Sequence, residues 1–139
     1  MAFAIETVRE LCAVAEEVRT HGRLWNGNKP DGSLVTTMDF LGTLIATQRL
    51  EEKYPGASLW SEEDGRVLRQ FPGSARKSVA DAVHHFAPRA YTNRLERWIH
   101  ATPAVVSPSY WGLDPIDVTA EYVRGGAYSV NFFYVENGI

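Results

Sequence analysis

One short stretch of the chain concentrates groups that could bind a metal ion. Residues 111–119, WGLDPIDVT, contain two aspartates three positions apart. Pro115 lies between them and predicts a turn, because proline does not fit the interior of an ordinary strand or helix. If this turn directs the carboxylates of Asp114 and Asp117 and the carbonyl of Ile116 to one side, it offers the hard oxygen ligands that Mg²⁺ prefers.

Thr119 extends this hypothesis, because it would lie at the start of any helix that begins here, where free N–H groups favour a phosphate. The same stretch also has a purely structural interpretation. An Asp-Pro pair followed by a second aspartate is common turn chemistry, in which the carboxylates bond to their own backbone. On this stretch alone, both interpretations stay open.

Two further acidic stretches precede it in the chain. Thr36 or Thr37 is predicted to cap a helix, and Asp39 then falls in its first turn, where the helix dipole favours a negative charge. Glu62, Glu63 and the next residue are three consecutive acidic side chains behind a short apolar run that predicts a strand. They repel one another unless solvent or a cation stabilises them. A solvated loop and a shared metal site are both consistent with this pattern.

The elements that would position these groups follow from hydrophobic periodicity. From Phe3 to about Thr20, apolar residues at spacings of three and four, including Cys12, predict an amphipathic helix. A second helix begins near Asp39 and ends before Pro55, and residues 128–135 predict a strand. We therefore expect one α+β (α/β layered) domain over residues 1–139. Its helices pack on a largely antiparallel sheet, and its carboxylates converge at one sheet edge.

Composition limits the classes of partner. The 139 residues suffice for one domain with a core, and the net charge of −3 gives no electrostatic footprint for nucleic acid or an anionic membrane. A single cysteine excludes an internal disulfide framework, and no apolar run predicts a signal peptide or membrane span. The turn-rich loop at residues 25–33 lacks the Walker-type order, so it predicts no phosphate role. We expect a cytoplasmic protein without nucleic-acid or membrane partners.

The three acidic stretches, in this order, resemble motifs of the lithium-sensitive, Mg²⁺-dependent phosphatases. That superfamily contains the inositol monophosphatases, fructose-1,6-bisphosphatases and 3'(2'),5'-bisphosphate nucleotidases. Residues 29–39 resemble its entry loop and first aspartate, residues 54–63 its paired-glutamate motif, and residues 114–117 its signature. Residues 121–130, EYVRGGAYSV, are most similar to the bisphosphate-nucleotidase branch.

The resemblance implies a metal site and a reaction. Glu62, Asp114 and the Ile116 carbonyl would hold one Mg²⁺, while Asp114 and Asp117 would contribute to a second. Paired cations of this kind hold the attacking water and the leaving oxygen in an in-line phosphoryl displacement. The expected function is therefore that of a Mg²⁺-dependent phosphoric monoester hydrolase acting on a small phosphorylated metabolite.

The resemblance also implies roles for three further side chains. Asp39 and Thr119 would orient the attacking water and help to deprotonate it, and Glu63 would act beside the metal ligands. No phosphoenzyme is implied.

Two departures from the family pattern define an alternative. Val118 stands where the family motif has glycine, and a β-branched residue resists unusual backbone angles and adds bulk beside the phosphate. Family members also have a C-terminal half that supplies another aspartate and most of the substrate pocket. Without it, an apolar interface would be uncovered, which predicts a homo-oligomer or a partner chain over that face. The alternative is a truncated, weak or inactive member that acts as an interaction subunit or is recruited to other chemistry.

Overall fold

The computed structural model describes residues 1–21, 24–90, 93–101 and 107–138. The helices are α1 (Ala2–Thr20), α2 (Thr37–Lys53), α3 (Gly65–Arg69), α4 (Gly73–Phe86), α5 (Asn93–His100) and α6 (Thr119–Arg124), with a 3₁₀ turn at Pro88–Ala90. The strands are β1 (Asn26–Asn28), β2 (Leu34–Thr36), β3 (Leu59–Ser61), β4 (Tyr110–Asp117) and β5 (Ser129–Val135). Among these helices, none is long and apolar enough to cross a membrane. The predicted α+β class is confirmed.

The strands form two sheets, and the larger one positions the acidic residues. β1 and β2 pair antiparallel in a short hairpin, and the other sheet has the order β3-β4-β5. β4 pairs antiparallel with β5 and parallel with β3. Because parallel strands end at the same edge of a sheet, the acidic residues that follow β3 lie beside those in the last part of β4.

Helix α2 forms the centre of the core. It packs against β4, α1 and α4, and most of its length is buried rather than a single stripe. Its start has the predicted cap: Thr36 Oγ1 accepts a hydrogen bond from the Met38 N–H at 3.1 Å, and the Asp39 carboxylate accepts one from the Thr36 N–H at 2.7 Å. This reciprocal pair is a capping box, and it fixes Asp39 against the end of β2.

The end of β4 differs from the sequence prediction. We expected Pro115 to end the strand, but β4 runs through it to Asp117. The pairing with β5 is irregular between Asp114 and Asp117, so the missing N–H of Pro115 breaks no regular ladder bond. Pro115 packs on α2 instead, since a Cβ on Gly42 would lie only 2.7 Å from the Pro115 Cβ. The prediction of a turn at Pro115 was therefore wrong.

Helix α1 matches its predicted bounds to within one residue at its start. Its buried face is formed by Phe3, Thr7, Leu11, Ala15 and Val18. Cys12, which the periodicity placed on the apolar side, is only half-buried.

A polar and aromatic contact ties α6 to α1. Tyr122 is fully buried, and its hydroxyl donates to the Ala15 carbonyl at 2.6 Å. The Arg19 guanidinium lies over the Tyr122 and Tyr128 rings and donates to the Gly126 carbonyl at 3.0 Å. These contacts fix the helix that begins at the end of the signature motif.

We predict that Gly65→Ala destabilises the fold by about 1–3 kcal/mol, the usual cost of overpacking. A Cβ at Gly65 would lie 2.3 Å from the Trp98 carbonyl oxygen and 2.7 Å from the Ile99 Cα, so α3 and α5 would have to separate. Gly73→Ala is the matched control, because the nearest atom there is the flexible end of Arg76 at 3.8 Å. Urea unfolding would measure both variants. Equal stabilities of the two would contradict this account of the α3–α5 contact.

Candidate active site

The acidic residues singled out in the sequence lie together where β3 and β4 end. Glu62 and Glu63 follow β3 directly, Asp114 lies within β4, and Asp39 lies in the first turn of α2, which packs on β4. After burial, which has the largest effect, the negative charges of Glu63 and Asp114 also raise the pKa of Asp39. We refer to these four residues as the acidic cluster.

Asp39 is the most deeply buried member of the cluster, with 3% of its surface exposed. Its Oδ2 accepts hydrogen bonds from the Thr36 N–H at 2.7 Å and the Thr36 hydroxyl at 2.8 Å. Burial raises the pKa of Asp39 to about 7, against the opposing effect of these two hydrogen bonds. A carboxyl with this pKa can both take up and release a proton near neutral pH.

Glu63 is also buried, with 5% of its surface exposed. Its Oε1 accepts a hydrogen bond from the Lys29 ammonium at 2.5 Å. Its Oε2 is buried and has no hydrogen-bond partner within the described ranges. Burial raises the pKa of Glu63, although Lys29 acts in the opposite direction. A buried carboxylate oxygen without a partner is costly, so it marks a place where a positively charged or donating group would be stabilised.

Lys29 is a site residue that sequence reasoning missed. Its ammonium pairs with Glu63 at 2.5 Å and with Glu62 at 3.3 Å, and only 13% of its side chain is exposed. Burial lowers the pKa of Lys29, but the hydrogen bonds and negative charges of the two glutamates outweigh it, and the net shift is upward. The sequence signal was its place at the start of residues 29–39, the stretch that resembles the family's entry loop, but nothing in the sequence pairs it with Glu63, 34 positions later.

Asp114 and Asp117 have different surroundings. Asp114 has its pKa raised by burial and by the charges of Asp117 and Glu62. Asp117 is exposed, and its Oδ2 lies 3.4 Å from the Ser129 hydroxyl and 3.5 Å from the Asn131 amide nitrogen, both on β5. The pKa of Asp114 is therefore affected by the charges of other acidic groups, while the Asp117 carboxylate contacts β5.

Ile116 and Thr119 are brought together by the turn after β4. The Thr119 hydroxyl donates to the Ile116 carbonyl at 3.0 Å. A carbonyl oxygen has two lone pairs, so that of Ile116 can still accept a second partner.

Val118, between them, has left-handed backbone angles, with φ 65° and ψ 52°. Such angles are strained for a β-branched residue and free for glycine. The expectation that valine would be unfavourable at this position therefore matches the backbone seen here.

The donor set fits a hard cation in type, although it is not preassembled. In the part of the chain that the structure describes, no three acidic, histidine or cysteine side chains stand close enough to hold a metal ion. Lys29 instead supplies the positive charge beside Glu62 and Glu63. The unpartnered Glu63 Oε2 and the raised pKa values of Asp39 and Asp114 are all features that a nearby cation would relieve. These residues therefore fit Mg²⁺ by the chemistry of their oxygen donors.

Comparisons of the sequence and of the fold with known proteins both give matches. No family model matches the chain. It is 26% identical, over an alignment of 121 residues, to a 3'(2'),5'-bisphosphate nucleotidase of Schizosaccharomyces pombe, covering 79% of this chain and 34% of the relative. It is also 26% identical, over 156 residues, to a 3',5'-bisphosphate nucleotidase of Arabidopsis thaliana, covering 97% of this chain and 42% of the relative. An IMPase of Thermotoga maritima has a similar fold, with a TM-score of 0.63 and 20% identity, over 99% of this chain and 39% of that chain.

These similarities confirm the predicted resemblance to the inositol monophosphatase superfamily. Both curated relatives are named as bisphosphate nucleotidases, the branch that residues 121–130 resemble most. The structural match, at 20% identity, supports the fold alone. The chain spans about a third to two fifths of the length of these relatives, between 34% and 42%.

We predict that Asp39→Asn removes a pH-dependent loss of stability. The pKa of Asp39 is about 7 in the folded protein against 3.8 for a free carboxyl, so the folded state holds the proton more tightly. Wild-type stability should therefore fall as pH rises from about 4 to 7, by up to roughly 1 kcal/mol per pH unit from this group. Asparagine keeps an acceptor for Thr36 and carries no charge.

Urea unfolding in EDTA at pH 5 and pH 8 measures this effect. Asp39→Asn should gain stability relative to the wild type at pH 8 compared with pH 5. A difference between the two proteins that is the same at both pH values would contradict the raised pKa.

We predict that Val118→Gly stabilises the fold by about 1 kcal/mol, because glycine adopts left-handed angles without the steric cost that valine bears. Val118→Ala is the control, since it removes the branched atoms but keeps a Cβ. It should therefore stabilise the fold less than Val118→Gly does. Thermal melts of the three proteins compare them directly. A lower melting temperature for Val118→Gly than for the wild type would show that the backbone here is unstrained.

Proposed function

We propose that this chain contributes the metal-binding and proton-transfer carboxylates of a Mg²⁺-dependent phosphomonoesterase of the bisphosphate-nucleotidase type. Its substrate would be a small phosphorylated metabolite. The observation that most supports the proposal is the buried pair Asp39 and Glu63 beside Asp114, with one Glu63 oxygen unpartnered. Burying several carboxylates together is costly for a purely structural role, and the names of the curated relatives agree with a phosphatase.

The proposed metal ligands are the carboxylates of Glu62, Asp114 and Asp117 and the carbonyl of Ile116. All are oxygen donors, as Mg²⁺ prefers. When bound, the cation would stabilise negative charge on the phosphate oxygens and lower the pKa of a bound water. Ile116 and Asp117 are adjacent in the chain, and Asp114 and Glu62 already influence one another electrostatically.

The chain's own residues would perform the proton transfer. The water oxygen would attack phosphorus as the ester P–O bond breaks, and the leaving alcohol oxygen would take its proton from solvent water. Asp39 would accept the proton of the attacking water, with its carboxylate held by the two hydrogen bonds from Thr36. Thr119 would orient that water through its hydroxyl, which now donates to the Ile116 carbonyl. The pKa of Asp39, about 7, suits this carboxyl to accept a proton near neutral pH.

The test is phosphate release from 3'-phosphoadenosine 5'-phosphate and from inositol 1-phosphate, in Mg²⁺ and in EDTA. We predict that Asp114→Asn lowers Mg²⁺-dependent turnover at least about a hundredfold, because a ligand charge is lost. It should also abolish the rise in melting temperature that Mg²⁺ gives the wild type.

Asp81→Asn is the matched control, because Asp81 is exposed on α4 and pairs only with Lys77 among the recorded ion pairs. It should leave turnover and Mg²⁺ stabilisation unchanged. Retention of both properties by Asp114→Asn would refute the proposed ligand set.

The alternative proposal is a catalytically weak chain that acts as an interaction subunit, pairing with a second copy of itself. Trp60, Gly112 and Phe133 are in register across β3, β4 and β5. Trp60 is 46% and Phe133 43% exposed, and the Phe133 ring lies directly over Gly112. Light scattering on the same sample decides between the proposals. Turnover that requires Mg²⁺ supports the phosphatase, whereas a folded oligomer without turnover supports the alternative.

A further inference from the structure

Lys29 places a positive charge beside both glutamates of the acidic cluster. Its ammonium lies 2.5 Å from Glu63 Oε1 and 3.3 Å from Glu62 Oε1. Its charge also acts on Asp114, where it opposes the upward shift of the pKa. One side chain therefore offsets negative charge on three of the four residues of the acidic cluster.

The cluster needs such a charge. Two carboxylates a few ångströms apart repel by several kcal/mol in a partly buried environment. The ion pairs that the structure records for Glu62 and Glu63 both go to Lys29. Yet the match is incomplete, because Glu63 Oε2 remains buried and unpartnered. A single ammonium at one oxygen leaves the other without a positively charged or donating partner among the described residues.

We propose that Lys29 is an internal cation that holds the acidic cluster together while no metal is bound, and that a divalent cation must displace its ammonium to bind. Lys29 thereby sets the metal affinity of the site. This inference rests on the proposed function only in that it takes the site to bind Mg²⁺.

The surrounding loop permits this exchange without a change of fold. Lys29 lies between β1 and β2, and its backbone is fixed by bonds from its N–H to the Ser33 carbonyl at 2.8 Å and from the Gly32 N–H to its carbonyl at 2.9 Å. Only the flexible side chain has to swing away from the glutamates.

The experiment is a Mg²⁺ titration followed by melting temperature and by calorimetry, on the wild type, Lys29→Met and Lys29→Arg. Lys29→Met should melt lower in EDTA, because the cluster loses its counter-charge. It should also bind Mg²⁺ about tenfold more tightly, since nothing has to be displaced. Lys29→Arg keeps the charge and should stay within about threefold of the wild-type affinity.

Lys77→Met is the matched control, because Lys77 is exposed on α4 and pairs with Asp81 away from the cluster. It should change neither the metal-free melting temperature nor the Mg²⁺ affinity. An equal rise in affinity for Lys77→Met would show that only net charge matters and would overturn the proposal. Unchanged or weaker Mg²⁺ binding by Lys29→Met would overturn it as well.

The outcomes also separate this inference from the proposed function. If Mg²⁺ stabilises the wild type and not Asp114→Asn, while Lys29→Met binds it no more tightly, only the inference on Lys29 fails. If Mg²⁺ stabilises none of the variants, the metal-dependent function fails and displacement fails with it.

A measurement without metal tests separately whether Lys29 stabilises the acidic cluster as its counter-ion. In EDTA, Glu63→Gln should restore stability in the Lys29→Met background, because it removes the uncompensated charge. Wild-type stability for Lys29→Met in EDTA would overturn the counter-ion role. Should Lys29→Met fail to fold, Lys29→Gln carries the same test.

Discussion

Mutual repulsion within the acidic cluster is the constraint on which the rest of the site depends. Parallel pairing of β3 with β4 brings Glu62 and Glu63 beside Asp114, and α2 adds Asp39 from the other side. Each partner nearby offsets part of that cost: Thr36 donates two hydrogen bonds to Asp39, and Lys29 pairs with both glutamates. The compensation remains partial: burial first, and then the neighbouring negative charges, raise the pKa values of Asp39, Glu63 and Asp114. Carboxyl groups with raised pKa values at a sheet edge are groups that a cation or a proton would stabilise.

Much of this arrangement could be predicted from the sequence because it depends on local chemistry. The periodicity of α1, the cap at Thr36 and the strand from about residue 128 are each determined by residues close together in the chain. The acidic stretches were recognised by residue type and order. Asp39 and Glu62 lie at element boundaries as expected, whereas Asp114 lies within β4. The roles assigned to Asp39, Glu62, Glu63, Asp114, Ile116, Asp117 and Thr119 stay predictions.

What could not be predicted depends on contacts between distant parts of the chain. Lys29 is defined as a site residue by Glu63, 34 positions away, and its loop showed no phosphate-binding order. Pro115 was expected to end a strand, but the irregular pairing opposite β5 removes the hydrogen bond that proline cannot make. Cys12 fits the helical periodicity but is only half-buried. Periodicity predicts which face of a helix is apolar, and it does not predict how completely other elements bury that face. Residues 102–109, where Pro103 and Pro108 predict a connector that leads to β4, lie largely outside the described residues.

A valine at position 118 can have two distinct effects, one through its backbone conformation and one through its exposed side chain. Its left-handed backbone persists although valine is unsuited to it, so the turn must be maintained by its surroundings, chiefly the contacts of Tyr122 and Arg19 that fix α6 to α1. The turn geometry is therefore a property of the fold and does not require glycine. At the same time Val118 is 53% exposed, so its side chain extends outward beside Thr119 rather than into the core. The backbone strain lowers stability, whereas the exposed methyl groups would act on the approach of a substrate. A loss of activity caused by valine here would accordingly appear in substrate binding and turnover, with the arrangement of the carboxylates left intact.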